Sequence, residues 1–430
     1  MEKKLYKPRV IDRLVEDELE AMGALLLEGA KACGKTTTGE HHAASVLYMD
    51  DPMTRRQNLA LAETDITRLL VGDTPRLIDE WQTAPQFWDA IRFTVDHRQE
   101  SGQFILTGSA VPITDRQEGE AVNHTGTGRF GRLTMRPMTL WESGDADGQV
   151  SLAALFDGEE PAGESHMNID ELAFLTCRGG WPGALSKKTE RAALIQAMEY
   201  YESVVASDIS RVDHVTRNPE SARNLMRAYA RHQGTQATIP TLIEDVRLGG
   251  GENMSDVTMA SYLNALRKIF VIEDTNAWNP NLRSKTAIRT AKTRYFVDSS
   301  IAAAALGIGS GDLLNDLNTF GLLFETLCMR DLRVYAEALY GNVYHYRDRS
   351  GQECDAVVHL RNGSYGLVEI KLGGDRLIEE GAASLLKLAG KIDTEKMKAP
   401  SFLMVLVGVA PYAFRRKDGV FVVPISCLRD

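Results

Sequence analysis

Residues Gly29 to Thr36 read Gly-Ala-Lys-Ala-Cys-Gly-Lys-Thr and follow the apolar run Ala24-Leu25-Leu26-Leu27. Glycines separated by four residues, then Lys-Thr, directly after an apolar run, leave few structures open. The glycines let backbone N–H groups turn toward an anion, Lys35 can reach β and γ phosphates, and the Thr36 hydroxyl suits Mg²⁺. The expected binding segment for a nucleoside triphosphate is therefore Gly29, Ala30, Lys31, Ala32, Cys33, Gly34, Lys35, Thr36 and the adjoining Thr37.

The next informative stretch is Pro75-Arg76-Leu77-Ile78-Asp79-Glu80, two carboxylates after a short apolar run. A strand ending in Asp79 would bring a metal-holding carboxylate beside the loop, and Glu80 would be free to polarise water. Alone, Ile-Asp-Glu is the solvated end of an ordinary strand; beside a phosphate loop the functional reading prevails. Gln103 to Ser109 is a further strand ending in small hydroxyl residues. Thr107 or Ser109 there is either a sensor of the γ-phosphate or a turn that caps the following element.

Short β-type runs at Ser45–Met49, Arg76–Ile78, Gln103–Leu106 and Leu133–Met135 alternate with helical or loop segments, which predicts a parallel sheet covered on both faces. At 430 residues the chain exceeds one core. Its formal charge of -10 excludes a surface coated in base for non-specific nucleic-acid binding, though not a local basic patch. Five scattered cysteines without C-x2-C spacing read as reduced thiols. With no apolar leader and no long apolar span, a soluble, cytoplasmic protein without a membrane partner is expected.

Four regions are expected. Residues 1–165 form the P-loop core, with a linker or long exposed loop rich in Gly, Asp and Glu from Glu142 to Ser165. Residues 166–234 read as a helical lid, with a tight turn at Gly179-Gly180-Trp181-Pro182-Gly183. Residues 235–305 read as winged-helix-like, from two short helices (Ile239–Val246, Thr258–Phe270) and wing strands at Val271-Ile272 and Arg294–Val297. The interval Asn281–Lys292 carries Arg283, Lys285, Arg289 and Lys292 and no acid. It is either a DNA or RNA phosphate contact or a solvated loop on a protein-packing domain.

Residues 315–430 carry a second constellation: a helix from Phe320 to Tyr335 with Glu325 among apolar neighbours, then Asp355, then Glu369-Ile370-Lys371. Alternation puts Glu369 and Lys371 on one strand face. A three-residue hairpin loop, Asn362 to Ser364, sets Asp355 opposite Lys371 on that face, whereas a two-residue loop sets it on the other. Asp355 and Glu369 could bind Mg²⁺ and, with Lys371, position a water for phosphodiester attack. A cross-strand ion pair is the structural alternative.

Taken together, the chain resembles a large family of bacterial and archaeal AAA-type P-loop ATPases whose C-terminal region is a domain of unknown function with a PD-(D/E)xK nuclease-like fold. The resemblance rests on Gly29 to Thr36, Leu77 to Glu80 with Gln82, Ile105 to Ser109, Gly128-Arg129-Phe130, Met135 to Met138, Gly179 to Pro182, Glu353 to Asp355 and Glu369 to Lys371. It implies ATP and Mg²⁺ as ligands, Lys35 and Thr36 for phosphate and metal, Asp79 for the metal, Glu80 as base and Ser109 or Thr107 as sensor. For Arg129 it implies either a group that stabilises transition-state charge, in its own chain or across a subunit interface, or an ion pair at the sheet edge. His41 and His42 are expected to face solvent. A homo-oligomer and a protein partner both remain open.

Overall fold

The computed structural model describes residues 6–108, 126–213, 215–251, 254–280 and 288–430. The expectations for Ser109, Arg283 and Lys285 lie outside these residues. The chain divides into two units: Met1–Arg136 with Val212–Val215 and Lys268–Phe270, and Pro137–Arg211, Thr216–Arg267 and Val271–Asp430.

The first unit runs α1 (Asp12–Ala21), β1 (Ala24–Gly29), α2 (Lys35–His42), β2 (Ser45–Tyr48), α3 (Arg55–Thr64), β3 (Arg76–Asp79), α4 (Phe87–Arg98), β4 (Phe104–Gly108) and β5 (Phe130–Met135). All five strands are parallel, in the order β2-β3-β4-β1-β5. Ala24 to Leu27 are essentially inaccessible, as a central strand covered on both faces requires. On one face Leu26, Ile78 and Leu106 pack against Trp88, Ile91 and Val95 of α4. On the other, α2 lies so close that a Cβ on Gly39 would sit 2.8 Å from Leu77 Cδ1, so glycine is required there. The order places β4 between β1 and β3, so the end of β4 lies between the loop and its carboxylate strand.

The second unit begins with α5 (Leu140–Ser143), β6 (Val150–Ser151), α6 (Leu152–Phe156) and β7 (Gly163–Glu164). Helices follow: α7 (Ile169–Arg178), α8 (Pro182–Leu185), α9 (Glu190–Ser203), α10 (Ile209–Arg211), α11 (Pro219–Arg231), α12 (Ile239–Leu248), α13 (Asp256–Lys268), α14 (Ser299–Leu306), α15 (Ser310–Asn315) and α16 (Leu317–Ala338). The chain closes with β8 (Gly341–Arg347), β9 (Glu353–Leu360), β10 (Tyr365–Gly373), α17 (Asp375–Lys391), β11 (Phe402–Val409), β12 (Tyr412–Arg415), β13 (Phe421–Pro424) and β14 (Leu428–Arg429). A mixed sheet of seven strands, β7-β12-β13-β11-β10-β9-β8, carries this part.

Two expectations change. The stretch 142–165 is not a linker, because Thr139 and Glu142 form a reciprocal capping box on α5, β6 pairs with β14, and β7 pairs with β12. The boundary accordingly falls after Arg136 rather than at 165. The two helices of the 235–305 region are present as α12 and α13. Beyond them, among the described residues, Ile272 meets Phe296 and Thr275 meets Thr293 only through isolated bridges, not a strand ladder.

The second unit is pinned by a buried cation. Arg330 on α16 is 1% exposed and donates from Nε to Asp331 (2.8 Å) and from Nη1 to Asp298 (2.8 Å). Asp298 also accepts from the Gly180 amide (3.0 Å), and Asp331 from the Leu140 amide (3.0 Å). This explains the Gly179-Gly180 pair: Gly179 has φ +69°, and a Cβ on Gly180 would lie 2.0 Å from the Met138 carbonyl oxygen. Removing one partner of such a pair leaves charge buried and uncompensated. Arg330→Ala is expected to destabilise the second unit by about 3–5 kcal/mol, measured by denaturant unfolding, while Arg223→Ala, at an exposed pair with Glu202, should cost under ~1 kcal/mol.

Candidate nucleotide site and a second carboxylate cluster

The loop between β1 and α2 turns through Ala32 (φ 61°) and Gly34 (φ 113°). Lys35 is 6% exposed, and its Nζ donates to the carbonyls of Gly29 (3.0 Å) and Ala30 (2.8 Å). Its ammonium is thus held inside the loop where phosphates would be cradled. Asp79, at the end of β3, is the common acceptor for two hydroxyls: Thr36 Oγ1 (2.8 Å) and Thr107 Oγ1 (2.5 Å) both donate to Oδ1. The register Asp79↔Thr107 and Leu27↔Thr107 brings loop, carboxylate and polar residue of β4 together. Of the two sensor positions, Thr107 is the one within the described residues. Lys31, Ala32 and Thr37 are exposed, and Cys33 is buried with its thiol on the Met135 carbonyl.

Glu80 follows in a left-handed conformation (φ 57°), which turns its backbone away from the line of the strand. Burial, reinforced by neighbouring Asp79, raises its pKa above the usual carboxylate range, and Lys35 and Gln82 oppose the rise. Gln82 donates through Nε2 to Glu80 Oε2. Gln82 Oε1 and Trp81 Nε1 are buried without a hydrogen-bond partner among the described residues. Both crowd Gly108, whose Cβ would meet them at 2.7 and 3.2 Å. A protein acceptor and donor beside the base, with no partner of their own, suit an ordered water.

Hard oxygen donors at Thr36 and Asp79 fit Mg²⁺, which takes one or two carboxylates and completes its shell with phosphate and water. Among the described residues, no group of three or more His, Cys, Asp or Glu side chains is arranged to hold a metal ion.

Several contacts had no signal in the sequence. Arg9 is buried and donates to the carbonyls of Cys33 (3.1 Å) and Arg136 (2.9 Å), tying the phosphate loop to the end of β5. Tyr6 stacks on His41 and donates to Asp12 (2.6 Å). His42 does not face solvent: its ring is 8% exposed and its Nε2 lies 3.2 Å from Asp12. Arg129 makes the ion pair that was one of its expected roles. It precedes β5, whose register runs from Ala24↔Phe130 to Gly29↔Met135, so it sits about 20 Å from the loop of its own chain. Its Nε donates to Asp96 (2.7 Å), which is the sheet-edge ion pair.

In the second unit, Lys371 Nζ bridges Glu369 Oε2 (2.7 Å) and Asp355 Oδ2 (3.1 Å). The hairpin pairs Val368 with Ala356, two positions from the register expected, so Asp355 keeps the expected face but meets the Ile370 amide (2.7 Å). Glu369 also accepts from Ser384 (3.0 Å). Burial and the nearby Asp355 raise the pKa of both Glu369 and Glu325, and Tyr295 donates to Glu325. Burial disfavours the Lys371 ammonium, but Asp355 and Glu369 outweigh it and raise its pKa. The oxygen donors suit Mg²⁺ in kind, with the lysine ammonium now between them.

Comparison with known proteins agrees with the first site. Residues 22–143 match a family described as "AAA domain". Residues 169–312 and 320–428 match two families described as domains of unknown function, DUF8612 and DUF4143. No curated protein matches the chain. Among solved structures it is similar to the Walker-type ATPase PABY2304 of Pyrococcus abyssi (13% identity, 68% of this chain and 94% of that one, TM-score 0.43). It is also similar to a Signal Transduction ATPase with Numerous Domains (STAND) protein with a tetratricopeptide repeat sensor, PH0952 from Pyrococcus horikoshii (13% identity, 78% and 50%, TM-score 0.24). The first unit thus holds a nucleotide-binding P-loop ATPase domain of AAA type. Among the described residues no helix is long and apolar enough to cross a membrane.

If Glu80 is the base, it must be ionised to accept a proton, and since its pKa is raised, ATP turnover is expected to fall as pH falls through a value above the usual carboxylate range. Gln82→Leu removes the bond that favours the charged form, so the acid limb of the pH–rate profile should move to higher pH. An unmoved limb would count against Glu80 as the base.

Proposed function

We propose that the chain is a Mg²⁺-dependent ATPase whose nucleotide cycle controls a nuclease-like C-terminal site acting on DNA or RNA. The observation that carries the ATPase half is the convergence of Thr36 and Thr107 on one oxygen of Asp79, beside the buried Lys35 and Glu80. In this reading Lys35 exchanges its contacts with the Gly29 and Ala30 carbonyls for β and γ phosphate oxygens. Thr36 and Asp79 would hold Mg²⁺, which supplies charge neutralisation at the phosphates when bound. Thr107 orients Asp79 from the end of β4, and Glu80, oriented by Gln82, takes the proton of the attacking water.

The nuclease half is supported by the order α16, β8, β9, β10, α17, and by Asp355, Glu369 and Lys371 meeting on one face. The helices from α7 to α11 are read as a lid, and α12 and α13 with their bridges as winged-helix-like. Asp355 and Glu369 would hold a metal ion there. One observation favours a second reading, in which this domain is inert and the chain is a nucleotide-dependent switch for a protein partner: the Lys371 ammonium already bridges both carboxylates.

Lys35→Ala and Glu80→Gln are expected to lower ATP hydrolysis at least ~100-fold, with phosphate release as the measurement. If wild-type protein neither binds nor hydrolyses a nucleoside triphosphate, the ATPase reading fails. Incubation with Mg²⁺ or Mn²⁺, ATP and DNA or RNA should give cleavage that Asp355→Ala abolishes. Cleavage by neither protein leaves the switch reading in place.

A further inference from the structure

A groove of about 610 Å³ opens on the second unit, between the start of α12 and the segment Ile288–Ala291. Its arginines come from two separate pieces of chain, Arg289 on one and Arg347 at the end of β8 with Arg349 just beyond it on the other, and His232 also lines it. Among the described residues no Asp or Glu lines it, in a chain of net charge -10. Arg289 and Arg349 are exposed. Arg347 is the one drawn toward an acid, with Nε 3.5 Å from Glu353. The nearby Asp245 is already engaged by Arg231 at 2.9 Å.

The remaining polar lining carries no formal negative charge. Thr235, Thr238 and Thr241 face the groove, and Thr238 caps α12 by accepting from the Thr241 amide. α12 thus presents its N-terminal end, ten residues of aligned peptide dipoles, to the same space as the guanidinium groups. The backbone of Arg289 is tied to β8, since its amide donates to the Arg347 carbonyl (2.8 Å). Among the described residues no Phe, Tyr or Trp lines the groove, so it offers phosphates charge and offers bases little stacking surface.

The groove adjoins the carboxylate cluster from two sides. Arg347 is in register with Glu353, two residues along β9 from Asp355 and on the same face. Thr235 follows Gly234, against which the Glu325 carboxylate packs closely, since a Cβ there would lie 2.9 Å from its oxygens.

We propose that this groove binds the phosphodiester backbone of a nucleic-acid strand, without reading its bases, and leads that strand to Asp355, Glu369 and Lys371. The proposal deepens the nucleic-acid reading above but does not need the cluster to cut. Phosphate contacts fix register and carry affinity, and each makes binding salt-dependent.

The test is fluorescence anisotropy of a labelled single-stranded oligonucleotide with the full chain, in metal-free buffer, across a salt series. Wild type should bind with a negative salt slope and no sequence preference. Arg289→Ala with Arg349→Ala should flatten that slope by about 1.4 and weaken binding roughly 25-fold at 0.1 M salt, with ATP hydrolysis unchanged. Arg223→Ala, at an exposed pair outside the groove, should bind as wild type. Inorganic tripolyphosphate separates sources: if it displaces the oligonucleotide completely at equal phosphate concentration, the groove is a small oligophosphate site and the proposal fails. It fails equally if the double variant keeps the wild-type slope. Binding that needs the arginines, in protein that never cleaves, upholds the groove and removes only the nuclease reading.

Discussion

The Lys35 ammonium is buried in the loop after β1, held by two carbonyls of that loop while Arg9 holds a third carbonyl from outside. A cation taken out of water must find compensating oxygens or it destabilises the fold. Here the oxygens are mostly backbone carbonyls, so the charge dictates the path of the main chain. The loop, the end of β5 and the first turn of α2 are consequences of that demand. Asp79 answers from the neighbouring strand, offering one oxygen to two hydroxyls and leaving the loop free for an anionic ligand. Phosphates arriving there would replace weak dipoles with full charges, which is why such a site can be stable empty and still bind strongly.

The second unit solves the same problem with carboxylates. Arg330 is satisfied by Asp298 and Asp331, and those acids in turn collect the amides of Gly180 and Leu140. That network is structural: the buried guanidinium lies between two carboxylates, and backbone amides supply further hydrogen bonds to both. The cluster of Asp355, Glu369 and Lys371 is different. Asp355 and Glu369 share one ammonium, and burial, reinforced by Asp355, raises the pKa of Glu369 and of Glu325. An arginine-lined groove nearby is the natural complement to it.

The parts of this architecture legible in the sequence are those in which chemistry demands neighbours along the chain. The phosphate loop and Asp79-Glu80 belong to this class, as does the face shared by Glu369 and Lys371. The register of the β9–β10 hairpin was two residues off because turn geometry shifts pairing without changing the face. Arg9 and Tyr6 act across space, and nothing in their spacing marks them. The stretch 142–165 misleads because Gly, Asp and Glu dominate its composition, whereas its structure comes from a capping box and from strands paired far along the chain. For Arg129 the two expected roles could not be separated for a related reason: proximity to a strand says nothing about which end of the sheet the residue occupies.

The pairing of Val150 with Leu428 spans most of the second unit's sequence. Contacts of such separation close late, since the entropy of a long loop must be overcome before they stabilise anything. On a ribosome the parallel sheet of the first unit has all its strands once residue 135 has emerged, whereas β6 and β7 must wait for β14 and β12. The ATPase half can therefore be assembled while its companion still exposes unpaired strand edges. Newly made chains of this protein would pass through an interval in which those edges depend on chaperones rather than on the fold.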